Sequence, residues 1–183
     1  FTACPPTSDE QAVTAEDPRE LAFNRAAAKG LSISVNERDA LVIGSDQTLS
    51  VDDELISKVA TASEAKSILR KLQDNMHQLH SAFVLCFDRQ IVGGGLASFD
   101  MTMTALSDAQ IDAYIATDEW RGSVGCYKIE GEGNKLFAEV PKERTGIIGL
   151  PMAELSAEFR RIEFTGLLEP EPPWTIDLRG DIH

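Results

Sequence analysis

Five ionisable residues early in the chain have the types that phosphoanhydride chemistry needs. Asp9-Glu10 follow the proline pair Pro5-Pro6, and Lys29 ends an alanine-rich segment. Asp46 follows the apolar run Ala40-Leu41-Val42-Ile43, and Lys58 lies in a polar link. Two carboxylates can hold magnesium, a hard cation that prefers oxygen, while lysines act as compact charges on phosphate oxygens. Each residue taken alone reads as a solvated surface charge; it is their joint occurrence that points to hydrolysis of a phosphoanhydride. Competing chemistries lack their residues. No Gly-x-Ser-x-Gly elbow is present for a serine nucleophile, and Gly93-Gly94-Gly95 lacks the Lys-Ser/Thr of a Walker loop, so it reads as a hairpin loop.

These residues must be positioned by regular elements. Asp17-Pro18-Arg19-Glu20 starts a helix with an Asp N-cap, Pro at the first position and Glu placed for a capping box; Leu21, Ala22 and Ala26 form its stripe and Gly30 its stop. Ala40 to Ile43 is expected to be a buried strand, with Asp46 just beyond its carboxyl end, where α/β proteins bind ligands. Leu49 to Ile56 reads as a hairpin turning on acidic residues, and Ser63 as the cap of a helix carrying Ala65, Ile68, Leu69 and Leu72. Gln78 to Phe87 is expected as a long strand returning through Asp88-Arg89-Gln90 to an antiparallel strand over Leu96 to Met103. Ser107-Asp-Ala-Gln110 is a second capping box, with Leu106 and Ile111 as its staple. Val124–Ile129 and Lys135–Val140 read as two strands around the Gly131-Glu132-Gly133 turn. Gly149-Leu150-Pro151 opens a helix with Met152, Leu155, Phe159 and Ile162 on one face. The pattern is that of a single mixed α/β (α+β) domain with a central mixed sheet flanked by helices, over residues 1–164. A Pro-rich tail over 165–183 contains Glu169-Pro-Glu-Pro-Pro173.

The formal net charge of −13 argues against a nucleic-acid polymer as partner, because a phosphate backbone needs a basic face. A small anionic ligand held by local lysines and a divalent cation remains compatible with it. Three widely spaced cysteines, Cys4, Cys86 and Cys126, with no Cys-x-x-Cys pair, argue against a disulfide framework and for a reducing, cytoplasmic setting. No apolar run approaches membrane-spanning length.

An ordered set of short motifs resembles the Maf family of nucleoside-triphosphate pyrophosphatases. In order they are Pro5-Pro6-x-x-Asp9-Glu10, Ala28-Lys29, Leu41-Val-Ile-Gly-Ser-Asp-Gln47 and Ser57-Lys58. Leu106-Ser107-Asp108 leads into Ile111-Asp-Ala-Tyr114, then come Val124-Gly125-Cys-Tyr127, Glu130-Gly131-x-Gly133 and Ile148-Gly-Leu-Pro151. The resemblance implies the Maf/inosine-triphosphatase-like fold and release of pyrophosphate from a nucleoside triphosphate with magnesium or manganese, by a homodimer. It implies catalytic roles for Asp46, Glu10 and Lys58, with Glu10 and Asp46 at the metal and Lys29 on the phosphates. Substrate contacts from Ser45, Gln47 and Glu130 complete the set.

Gly44-Ser45-Asp46-Gln47, and Glu130 where the dTTP/UTP branch has glutamine, resemble the branch that acts on 7-methyl-GTP. A carboxylate can pair twice with the donors of guanine and neutralise the charge that N7 methylation creates. Several segments depart from the family pattern. The usual Lys-Pro is Lys58-Val59, and Lys142-Glu143-Arg144 replaces an acidic stretch. The family's N-terminal strand and its Ser-x-Ser-x-Arg-Arg phosphate loop are expected before Phe1, in roughly twenty preceding residues. A nucleotide-binding protein without turnover, and a dTTP/UTP-type enzyme, are the alternative readings. His77 matches a family position and reads as structural.

Overall fold

A computed structural model describes residues 1–37, 39–52 and 54–165, with the side chains of 163–165 outside the description. The expected tail therefore lies outside the described residues, except for the helical backbone of Thr165. The elements run α1 (Pro18–Ser34), β1 (Val42–Val51), β2 (Glu54–Ile56), α2 (Ala62–Leu72), β3 (Met76–Phe87), β4 (Gln90–Thr102), α3 (Asp108–Ile115), α4 (Thr145–Ile148) and α5 (Met152–Thr165). Short 3-10 turns lie at Glu10–Ala12 and Glu132–Leu136.

The sheet order is β2-β1-β3-β4, and every pairing in it is antiparallel, which replaces the expected mixed sheet. Side chains alternate across a strand, so β3 serves two faces. Ala82, Val84 and Cys86 meet Ala22, Phe23 and Ala26 of α1, while Phe83 and Leu85 meet Leu155 and Ile162 of α5. A larger core joins Leu49, Leu79 and Met101 to α2, α3 and the segment from Trp120 to Phe137.

Several boundaries differ from the local expectation. β1 runs ten residues rather than ending at Ile43, because Gly44 to Ser50 continue to pair with β3. Asp46 is thus in mid-strand. Gly30 does not stop α1; it lies buried where helix and sheet come closest, and the helix continues to Ser34. Asp17 caps α1 by accepting from Arg19 and Glu20 N–H groups, without the reciprocal bond from the Glu20 side chain among the described contacts. Thr61, not Ser63, caps α2, in a full capping box with Glu64. The tight turn from β3 sits at Asp88-Arg89, both at positive φ (44° and 69°) as a two-residue hairpin of the primed type requires, so Gly93-Gly94-Gly95 fall inside β4.

The two strands expected over 124–129 and 135–140 do not form. Cys126 has a φ of +57°, which breaks the extended run, and Glu132–Leu136 coils into a 3-10 turn. Only the isolated bridge Met103↔Phe137 remains there among the described residues. The apolar side chains in this segment are buried as expected, but they pack into the core without a ladder. Met152, expected on the inner face of α5, is exposed.

Candidate active site

α1 and β1 approach so closely that backbone meets backbone. A Cβ on Gly44 would lie 2.2 Å from the Ala26 carbonyl oxygen and 2.5 Å from the Gly30 nitrogen. This contact lets Lys29, next to Gly30, reach the sheet. Its ammonium donates to Asp46 Oδ1 at 2.6 Å and pairs with Glu10 Oε1 at 2.9 Å. Glu10 is brought in by its 3-10 turn, which Asp9 caps by accepting from the Gln11 N–H at 2.9 Å. Three residues far apart in sequence thus form one chain of charge, with the Asp46 side chain only 5% exposed.

Charge balance sets the protonation of this chain. Burial works against the Lys29 ammonium, but hydrogen bonds to Asp46 and Glu10 outweigh it and raise the lysine above its ordinary value. Hydrogen bonding to Lys29 holds the Glu10 carboxyl below the usual carboxylate range despite partial burial. The charges of Lys29, Lys58 and Arg25 add to that effect. Lys58, exposed in the loop after β2, makes no ion pair or hydrogen bond with the cluster among the described contacts and acts on Glu10 only through its charge. Arg25 is a member that sequence reasoning missed. It lies four residues before Lys29 on α1, hence on the same helical face, and its Nε is buried with no hydrogen-bond partner. The i, i+4 spacing was the available signal, but an arginine in an alanine-rich helix looks like a solubilising charge.

Asp46 Oδ2 is also buried without a partner. A buried carboxylate oxygen with nothing to accept from is a place for a water or a cation. No group of three or more His, Cys, Asp or Glu suited to a metal occurs among the described residues. Glu10 and Asp46 offer carboxylate oxygens, the donor type that hard divalent cations take, although both are paired with Lys29 in this structure.

The other expected residues lie elsewhere. Asp46 is paired in register with Ala82 and Gln47 with Ser81, so the two neighbours face opposite sides of the sheet. Ser45, in register with Phe83, shares the Gln47 side. On that side Gln47 and Glu130 both line a cavity of about 200 Å³, together with Leu79, Tyr127, Ile147 and Ile148. β2 pairs only with Leu49, Ser50 and Val51, so among the described residues no neighbouring strand covers β1 from Val42 to Thr48 on that edge. The Asp46 cluster and the cavity thus flank one open strand edge. His77 is fully buried behind the cavity wall, bonded to the hydroxyl of the lining residue Tyr127 at 2.9 Å and packed beside Phe137.

The chain is similar to known proteins over most of its length. The family model described as Maf-like protein matches residues 1–162. A 7-methyl-GTP pyrophosphatase of Rhizobium meliloti is 37% identical over 147 residues, covering 79% of this chain and 74% of that protein. A nucleoside triphosphate pyrophosphatase of Caulobacter vibrioides is 38% identical over 166 residues, covering 85% and 81%. A 7-methyl-GTP pyrophosphatase of Brucella abortus is 36% identical over 169 residues, covering 88% and 85%. With a charge cluster built from the same motifs and a family match over nearly all of the described residues, this chain belongs to the Maf family.

Proposed function

We propose that the protein hydrolyses a nucleoside triphosphate to the monophosphate and pyrophosphate, with 7-methyl-GTP or another modified nucleotide as substrate. The observation that carries this reading is the Glu10–Lys29–Asp46 chain, in which one Asp46 oxygen is tied to lysine and the other is buried and free to accept. Asp46 Oδ2 accepts a hydrogen bond from the attacking water, orients it toward the α-phosphorus and takes its proton. The new bond joins the water oxygen to that phosphorus. The bridging P–O bond to the β-phosphate breaks, and pyrophosphate leaves with the electron pair. Lys29, Lys58 and Arg25 hold the phosphate oxygens and offset the charge that gathers there. Magnesium or manganese on Glu10 and Asp46, when bound, supplies further charge neutralisation on the phosphate oxygens.

The base is assigned to the cavity across the open β1 edge, with Glu130 as its reader and Ser45 near the crossing point. Residues 1–164 are the catalytic unit. We further assign the protein to the cytoplasm as a homodimer. The three free cysteines, two of them buried, support a reducing compartment. No helix of the described residues is long and apolar enough to cross a membrane.

The test is pyrophosphate release from a panel of triphosphates with magnesium or manganese, alongside Asp46→Asn. The variant should lose about 10²-fold or more in kcat. Equal rates for parent and variant would overturn the mechanism, and tight binding with no turnover in the parent would favour a non-catalytic nucleotide binder.

A further inference from the structure

One wall of the cavity assigned to the base is a helix that cannot support itself. α4 spans four residues, Thr145–Ile148, and a single turn is unstable in isolation because nucleation costs more than one hydrogen bond returns. Side chains from outside hold it at both ends. At its start, Glu143 accepts from the N–H groups of Thr145 (3.0 Å) and Gly146 (3.1 Å) and from the Thr145 hydroxyl. At its end, Gln47 Nε2 donates to the carbonyls of Gly146 (2.7 Å) and Ile147 (3.0 Å), and Ser81 Oγ donates to Gly146 as well.

The chemistry fixes how the Gln47 amide is turned. Flipping it would set its carbonyl oxygen against two main-chain carbonyls, so the NH2 group must face α4. Nε2 also contacts Ser81 Oγ at 2.7 Å, so its two hydrogens are fully committed within the protein. They are not available to read a base. What Gln47 controls is the position of Ile147 and Ile148, which line the cavity. Ile148 is 54% exposed although apolar, at the margin of a cavity of about 200 Å³. That volume is below the roughly 300–1,000 Å³ of sites that enclose a whole drug-sized ligand, and suits a base with the sugar and phosphates outside.

We infer that Gln47 is a positioning residue for base recognition: it pins α4 so that Ile148 presents an apolar wall to a purine ring. It does so from the strand position next to Asp46, so one rigid segment of β1 sets both the reacting carboxylate and the wall of the base site. The inference rests on the base-site reading above.

The test uses Gln47→Leu, Ile148→Ala and the double variant, with hydrogen exchange at the amides of 145–149, calorimetric Kd for 7-methyl-GTP, and kcat and KM. Gln47→Leu should speed exchange across α4 about tenfold or more and raise Kd and KM by about tenfold, with kcat within about threefold of the parent. Ile148→Ala, at an exposed position that folding tolerates, should raise Kd and KM similarly without changing exchange. The double variant should be no worse than the single ones. Weaker binding in Gln47→Leu with unchanged exchange at α4 would mean that Gln47 reads the base directly and would overturn the inference. Faster exchange with unchanged Kd, or an unchanged Kd in Ile148→Ala, would overturn it from the other side. Exchange and Kd need no turnover, so an inactive parent protein would refute the enzymatic reading and leave this one to be judged separately.

Discussion

Replacing Gly44 with alanine should damage the protein through one added methyl group. The new Cβ would lie 2.2 Å from Ala26 O, 2.5 Å from Gly30 N and 2.8 Å from Gly30 Cα. All three are backbone atoms of α1, which no rotamer change can move aside. Relief requires α1 to withdraw by roughly 1 Å, the shortfall from ordinary contact. Overpacking of this kind costs ~1–3 kcal/mol. Lys29 rides on the same turn, so its 2.6 Å bond to Asp46 would stretch beyond hydrogen-bonding range, at a further cost of ~1.5–3 kcal/mol. The two losses share one displacement and overlap, so about 2–4 kcal/mol in total is expected, with kcat/KM falling about 10²-fold.

Gly30→Ala gives the contrast. There the Cβ meets the Cys86 sulfur at 2.9 Å and the Gly44 nitrogen only at 3.4 Å, and about 1 kcal/mol of helix propensity is regained. It should be near neutral to mildly destabilising. Urea unfolding curves and kcat/KM for the three proteins make the comparison. If Gly44→Ala unfolds at the parental midpoint, or Gly30→Ala is the worse variant, the close-approach account of these glycines is wrong.

Three further outcomes are expected. Glu130→Gln should cost about tenfold in kcat/KM for 7-methyl-GTP and much less for neutral pyrimidine triphosphates, because it removes the charge while keeping the shape; a uniform loss across the panel would count against base reading by Glu130. Arg25→Met should raise KM about tenfold with a shallower dependence on salt, and Arg25→Lys should restore it only in part; a parental KM would remove Arg25 from the phosphate site. His77, buried and held down to about pKa 4 by desolvation, is neutral in the folded protein but titrates near 6.5 when unfolded. Its folded pKa is depressed, so unfolding takes up protons, and stability present above pH 6.5 is lost as pH falls toward 4. Chemical denaturation of His77→Gln over that window should show a slope weaker by the equivalent of roughly 3 kcal/mol, and an unchanged slope would contradict the assignment.

Much local chemistry was legible, although the cap of α2 was expected at Ser63 and is Thr61. The Ser107–Gln110 capping box, the Asp17 cap with Pro18, and the turn at Asp88-Arg89 depend on neighbours within four residues, and each is found where the residues place it. The charge cluster was legible as a set of types: Glu10, Lys29, Asp46 and Lys58 are indeed brought near one another. Arg25 was not, since its neighbours in sequence give it the look of a surface charge.

Sequence alone determined the family motifs and the two faces of β3, because these depend on residue type and on a period of two along a strand. Tertiary structure decided the rest. Gly30 resembles a helix stop until the sheet presses against it, and Val124–Ile129 resembles a strand until its side chains enter the core without a ladder. Gln47 is the clearest case. Its place beside Asp46 is written in the chain, but the carbonyls that occupy its amide come from Gly146 and Ile147, about a hundred residues on. Only the closing of α4 onto β1 turns a polar residue in a strand into the support of a wall.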